Sequence, residues 1–151
     1  MKFISSTNDI RKYLGLKPKK NIHFKNISID TRTIKKDSLF IALKGENFNG
    51  NKFIQKAFSS GATAVLCSEK SYINKNNVIY VPSVRNALSK ISFEIASDFK
   101  GKKILITGSN GKTSTTNIIS KSLPKCSSTI KNFNNEIGLP ISIMSAKKDS
   151  K

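Results

Sequence analysis

A short apolar run, Ile104-Leu105-Ile106, passes through Thr107 into Gly108-Ser109-Asn110-Gly111-Lys112-Thr113 and directly on into Ser114-Thr115-Thr116-Asn117-Ile118-Ile119. Few arrangements satisfy that order. A chain that leaves a buried strand and enters a helix through a turn too tight for side chains points successive backbone N–H groups into one concavity, where the helix N-terminus adds partial positive charge. An anion fits there. Gly108 and Gly111 permit the backbone conformations and the close approach that such a turn needs. Lys112 is placed to extend along the β- and γ-phosphates of a nucleotide, and the Thr113 hydroxyl to reach a Mg2+ ion between them. The full phosphate-loop pattern GxxxxGK[ST] asks for glycine at position 106, where Ile106 stands. The shorter TGxxGKT keeps both glycines, the lysine and the hydroxyl. The pattern predicts a nucleotide site made by Gly108, Ser109, Asn110, Gly111, Lys112, Thr113 and Ser114. The alternative is a plain strand-to-helix turn whose lysine points into water.

Upstream, strand and helix signals alternate. "NISID" and "SLFIALKG" read as short strands with turn chemistry at Lys36-Asp37 and Gly45. "NGNKFIQKAFSSGA" places Phe53, Ile54, Ala57 and Phe58 on one helical face and stops at Gly61. "ATAVLC" and "NVIYV" follow as buried strands. Ser83 is a helix N-cap, and Val84, Ala87, Leu88, Ile91, Ile95 and Phe99 then recur at three- and four-residue spacing. A boundary falls at "DFKGKK", dividing a small N-terminal α/β domain, residues 1–100, from a second unit, residues 101–151. The second unit reads as the start of a P-loop-type parallel-sheet ATPase domain: strand "ILIT", helix "KTSTTNIISKSL", a break at Pro124, a strand near "SSTIK", the polar loop "NFNNEIG" and a last short helix from Leu139-Pro140. The residues after Gly101 run only to Lys151. That is too few to finish a parallel sheet, since each strand-helix-strand unit takes roughly thirty, so the second domain is expected to be cut short.

The rest of the composition narrows the function classes. No apolar run approaches the roughly 20 residues of a membrane span, and "MKFISSTNDIRKYLG" turns polar too early for a secretory signal. The expectation is a cytoplasmic chain with no membrane insertion. Cys67 and Cys126 are the only cysteines and lack the spacing of a zinc site, and His23 is the only histidine. A His-based triad or a multi-histidine metal site cannot be built. The 27 Lys+Arg against 9 Asp+Glu give a net charge of +18. That charge admits a nucleic-acid reading, but it is spread in short lysine pairs along the whole chain and no RRM, KH or helix-turn-helix signature accompanies it. A skewed composition on solvated surfaces explains it as well. The expectation is a monomer with no nucleic-acid partner.

"TGSNGKTS" resembles the ATP loop of the Mur ligases, enzymes that use ATP to add amino acids to the UDP-linked precursor of bacterial peptidoglycan. "SIDTRTIKKDSLFIALKGENFNGNKFIQKAFSSGATAVL" is similar to the N-terminal domain of the members acting late in that pathway. "NFNNEIGLP" resembles the branch that joins D-alanyl-D-alanine to the UDP-N-acetylmuramoyl-tripeptide. The resemblance implies that the first domain holds the UDP end of the substrate through Ser28, Asp30, Thr31, Arg32, Lys44, Gly45, Asn47 and Phe48. Arg32 and Lys44 suit a pyrophosphate; alternatively, Asp30 and Arg32 pair with each other and hold the turn. It also implies that Asn134 and Asn135 contact substrate or phosphate, that Lys112 and Thr113 serve catalysis with ATP and Mg2+, and that Glu136 is not a metal ligand. The loop around Asn132, Asn134, Asn135 and Glu136 also reads as an ordinary surface turn.

Two departures stand out. Asn49-Gly50-Asn51 replaces an Asp-Gly-His run frequent in relatives, and Ser114 replaces a threonine. The family reaction passes the γ-phosphate of ATP to a carboxylate, and the incoming amine displaces the resulting acyl phosphate. The family's acidic Mg2+ ligand, its carbamylated lysine and its amine-presenting domain are expected beyond Lys151, so this polypeptide alone is expected not to ligate. The competing readings are a non-catalytic UDP-sugar-binding fragment, the sibling ligase adding the third amino acid, and a folylpolyglutamate synthase.

Overall fold

The computed structural model describes residues 3–129, 135–147, 149 and 150. Four short strands form one all-parallel sheet in sequential order: β1 (Asn26–Ser28), β2 (Ser38–Ile41), β3 (Ala62–Cys67) and β4 (Val78–Tyr80). The apolar runs explain that choice. Side chains of a strand alternate between its two faces, and a sheet covered on both faces needs apolar residues at every position. Leu39, Ile41, Ala64, Leu66 and Ile79 point into one core, and Phe40, Ala42, Val65, Cys67 and Val78 into the other. The smaller core is closed by α2 (Ile54–Ser59), which contributes Ile54 and Ala57 and the partly buried Phe58; Phe53, in the 3-10 turn just before it, packs there too. The larger is closed by α1 (Thr7–Leu14) and α3 (Val84–Asp98), which contributes Val84, Ala87, Leu88, Ile91 and Ile95. Ser83 caps α3 as its type predicts, accepting the Asn86 amide at 3.3 Å.

Helix α1 has no counterpart among the elements read from sequence, although its ends are marked. Ser6 accepts the Asp9 amide at 3.3 Å while Asp9 accepts the Ser6 amide at 2.8 Å, a reciprocal cap. Gly15, in the left-handed region at φ 71°, ends it. Buried Arg11 ties α1 to the sheet, donating from Nη2 to the Val78 carbonyl at 3.0 Å. Between β2 and α2, Gly50 is fixed by a close approach: an added Cβ would lie 2.6 Å from the Leu43 carbonyl oxygen.

Beyond Asp98 the helices follow expectation and the strands do not. Helix α4 (Lys112–Ser122) and helix α5 (Gly138–Ser145) form where the sequence places them. "ILIT" is in no strand; Ile104 and Leu105 are 55% and 86% exposed. Ser127, Ser128 and Thr129 are in no strand either, and Ile130 and Lys131 lie outside the described residues. The reason is physical: a parallel strand takes its inter-strand hydrogen bonds only from a neighbour, and the described residues supply none there. Helix α4 buries no residue, whereas α5 packs against α3 and β1 and adds Ile141 and Met144 to the larger core.

Candidate functional site

In a parallel sheet the segments that follow each strand emerge at one edge, the edge where α/β folds place ligands. The Asp30 turn follows β1, the Lys44 to Phe48 loop follows β2, Ser68 follows β3, and Ser83 with the start of α3 follows β4. Most residues assigned from sequence to substrate are therefore neighbours along that carboxyl edge.

The Asp30 turn is self-paired. Ser28 Oγ donates to the Asp30 carbonyl at 3.0 Å and accepts its amide at 3.2 Å. Asp30 Oδ1 takes the Arg32 amide at 2.9 Å and Nε at 3.0 Å, while Oδ2 takes Nη2 at 2.6 Å. The hydrogen bonds from the Arg32 side chain, then the one from its amide, hold the Asp30 carboxyl down to about 2. Asp30 and Arg32 thus pair with each other and hold the turn. Thr31 sits half-buried at the head of this turn.

The next loop is a narrow hairpin. Lys44 bridges to Asn49 and the Gly45 amide donates to the Phe48 carbonyl at 2.8 Å, leaving Asn47 exposed near the tip. Phe48 is 52% exposed and stacks on Phe53 with ring centroids 5.6 Å apart, a flat apolar surface at the mouth of the edge. The departure at residues 49–51 has a structural use. Asn49 Oδ1 caps the following 3-10 turn, Gly50–Phe53, by accepting the Asn51 amide at 3.1 Å. Asn51 donates to Ser68 Oγ at 3.1 Å and accepts the Ser68 amide at 3.2 Å, joining that 3-10 turn to the end of β3.

The glycine turn is built as its sequence requires. Gly108 at φ 145° and Gly111 at φ 77° both occupy backbone conformations that L side chains disfavour, and Gly111 is the N-cap of α4. Lys112 Nζ folds back over the loop and donates to the carbonyls of Gly108 at 2.5 Å and Ser109 at 3.1 Å. The first orphan amides of α4, those of Lys112, Thr113 and Ser114, and the loop amides of Ser109, Asn110 and Gly111 meet no acceptor among the described residues. Exposed Thr113 stands in the first turn of α4. These open donors and the adjacent ammonium suit the terminal phosphates of a nucleotide. For Mg2+, Thr113 supplies one hydroxyl, and the described residues contain no cluster of three His, Cys, Asp or Glu.

Asn135 places its Oδ1 over the start of α5, accepting the amides of Ile137 at 3.2 Å and Gly138 at 2.8 Å. Glu136 pairs with Arg85 at 2.7 Å. Asn132 and Asn134 lie outside the described residues. Arg85 and Ser68 were not singled out by sequence, and Asn51 only as a departure from the family's run. For Arg85 a signal existed, since a cation in the first turn of a helix opposes the helix dipole and calls for an acid nearby.

A phosphate-type turn opening a helix, in a chain whose parallel sheet carries polar loops along its carboxyl edge, defines an α/β protein with a candidate nucleotide site. The chain belongs to the Mur ligase family: the family's catalytic-domain model matches residues 23–97 and its middle-domain model residues 106–151. The UDP-N-acetylmuramoyl-tripeptide--D-alanyl-D-alanine ligase of Buchnera aphidicola is 38% identical over all of this chain and 34% of its own length. The UDP-N-acetylmuramoyl-L-alanyl-D-glutamate--2,6-diaminopimelate ligase of Rickettsia prowazekii is also 38% identical, over 68% of this chain and 21% of its own length. Among solved structures, the MurF ligase of Thermotoga maritima in complex with ADP aligns at TM-score 0.64 and 32% identity, covering 80% of this chain and 29% of that one. The chain thus spans about a third of the length of the curated relatives it matches. No described helix is long and apolar enough to cross a membrane.

Proposed function

We propose that this chain supplies the UDP-substrate unit, residues 1–100, and the opening of the ATP-binding unit, residues 101–151, of a MurF-type ligase acting in the cytoplasm as a monomer. The ligase joins D-alanyl-D-alanine to UDP-N-acetylmuramoyl-tripeptide in peptidoglycan precursor synthesis. The observation that carries this reading is the Gly108–Thr113 loop, with its amides open to an acceptor and Lys112 laid across it, in a chain similar along its full length to such a ligase. Lys112 and the loop amides hold the β- and γ-phosphates of ATP and stabilise charge gathering on the transferred phosphoryl oxygens. Bound Mg2+, held in part by Thr113, supplies further neutralisation of that charge.

At the carboxyl edge, Ser28, Thr31, Lys44, Gly45, Asn47 and Phe48 take the UDP end. Arg32 acts by holding Asp30 as well as through its outer face, and Asn134 and Asn135 reach the substrate from the second unit. This polypeptide alone binds the precursor but does not ligate. Calorimetry with the tripeptide precursor and with ATP, beside a phosphate-release assay containing D-alanyl-D-alanine, tests both parts: saturable binding of both ligands without turnover is expected, and failure to bind the precursor contradicts the reading.

A second reading is a UDP-sugar-binding module without nucleotide affinity. It is favoured by the contrast between the closed first core and α4, which buries nothing. The same calorimetry separates the two, since the module binds precursor and not ATP.

A further inference from the structure

We propose that Arg85 and Glu136 form a clasp that fixes Asn135 and the start of α5 to the carboxyl edge of the four-stranded sheet, making Glu136 a positioning residue for the UDP-linked precursor. The functional half of this rests on the proposed ligase reading. The geometry stands by itself.

Arg85 is the second residue of α3, directly after β4, so its guanidinium leaves the fold at the same edge as the Asp30 turn and the Phe48 hairpin. Its position at a helix N-terminus is electrostatically unfavourable. Glu136 Oε1 sits 2.7 Å from its Nη1 and relieves that. The carboxylate comes from a segment 51 positions later in the chain, on the far side of the phosphate-type turn.

The pair is half-exposed, and an exposed ion pair adds little stability by itself. Its effect is geometric because the other end of the segment is already pinned. Ile141 and Met144 are buried in the larger core, Ile137 packs against it, and Asn135 Oδ1 holds the amides of Ile137 and Gly138. Glu136 lies between Asn135 and α5, so the ion pair steadies the two-residue lead into the helix, and Asn135 is held on it by its own bonds to the Ile137 and Gly138 amides. Helix α4, which carries Lys112, has no comparable anchor. Asn135 therefore travels with the UDP-binding unit rather than with the phosphate-type turn. A substrate held at the sheet edge meets Asn135 at a fixed distance, whatever the nucleotide loop does.

The test uses the 151-residue chain with Glu136→Arg, Arg85→Glu, the double reversal, and Glu136→Gln as the milder variant. Each single reversal is expected to speed amide exchange at Leu139, Ile141, Ser142 and Ile143 by about fivefold, the scale of losing one exposed pair. Precursor affinity should weaken several-fold, with the double reversal restoring both. Glu136→Gln should shift both in the same direction by less. Unchanged exchange in the single variants, or a double reversal that fails to restore it, overturns the clasp. Rescued exchange with precursor affinity constant throughout overturns the positioning role. If the parent chain binds no precursor at all, the ligase reading fails instead, and the exchange data still decide the clasp.

Discussion

Arg32 grips Asp30 with two guanidinium nitrogens, Nη2 on Oδ2 at 2.6 Å and Nε on Oδ1 at 3.0 Å, while its amide takes Oδ1 as well. Three donors from one residue thus converge on the carboxylate two positions earlier. The turn after β1 is therefore set before any ligand arrives, a pre-organisation that spares ordering cost on binding.

Acid should expose that pairing. Asp30 titrates at about 2 when folded against an ordinary 3.8, so its contribution to stability is fully present above about 4 and is lost as pH falls through about 2. Thermal melts from pH 5 to pH 2 should therefore fall more steeply for the parent chain than for Arg32→Leu. Parallel curves would remove the ion pair as the source.

Gly50→Ala should destabilise the first unit. Its Cβ would meet backbone, 2.6 Å from the Leu43 oxygen and 2.8 Å from the Leu43 nitrogen, at the junction of β2 and the following 3-10 turn. Overpacking of this kind costs typically 1–3 kcal/mol. Urea unfolding is the measurement, and a midpoint equal to the parent's would show that the junction yields freely.

Met144→Ala reports whether α5 belongs to the first core. The side chain is fully buried among residues of the sheet, α3 and α5, and such truncations cost about 2–5 kcal/mol. A loss of that size, with faster exchange in α3 as well as α5, is expected. A loss below about 0.5 kcal/mol, the range of ordinary surface substitutions, would mean that α5 is only loosely attached.

How much of this was legible in the sequence follows the range of the interactions. Ser83, the stripe from Val84 to Ile95 and the runs "ATAVLC" and "NVIYV" are local signals, and the elements appear where they point. The α1 signals were equally local, in the caps Ser6, Asp9 and Gly15 and in the stripe Ile10, Tyr13, Leu14, and were legible though the helix was not read from them. "ILIT" has the composition of a buried strand, yet strandhood depends on a neighbour and the described residues provide none. In the site, the glycine turn was readable because its backbone demands specific residues. The substrate-edge chemistry was harder: the Asp30–Arg32 pair competes with any ligand, and the Arg85–Glu136 and Asn51–Ser68 contacts join residues with no sequence proximity.

The most direct test is calorimetric titration of ATP with Mg2+ into the parent chain and Lys112→Ala. If the amides from Ser109 to Ser114 and the Lys112 ammonium together hold a triphosphate, the parent binds saturably and the variant binds at least about tenfold more weakly, the scale of losing one charged hydrogen bond, with precursor affinity unchanged. Equal ATP affinity in the two proteins would contradict the cradle and leave the glycine turn a plain entry into α4.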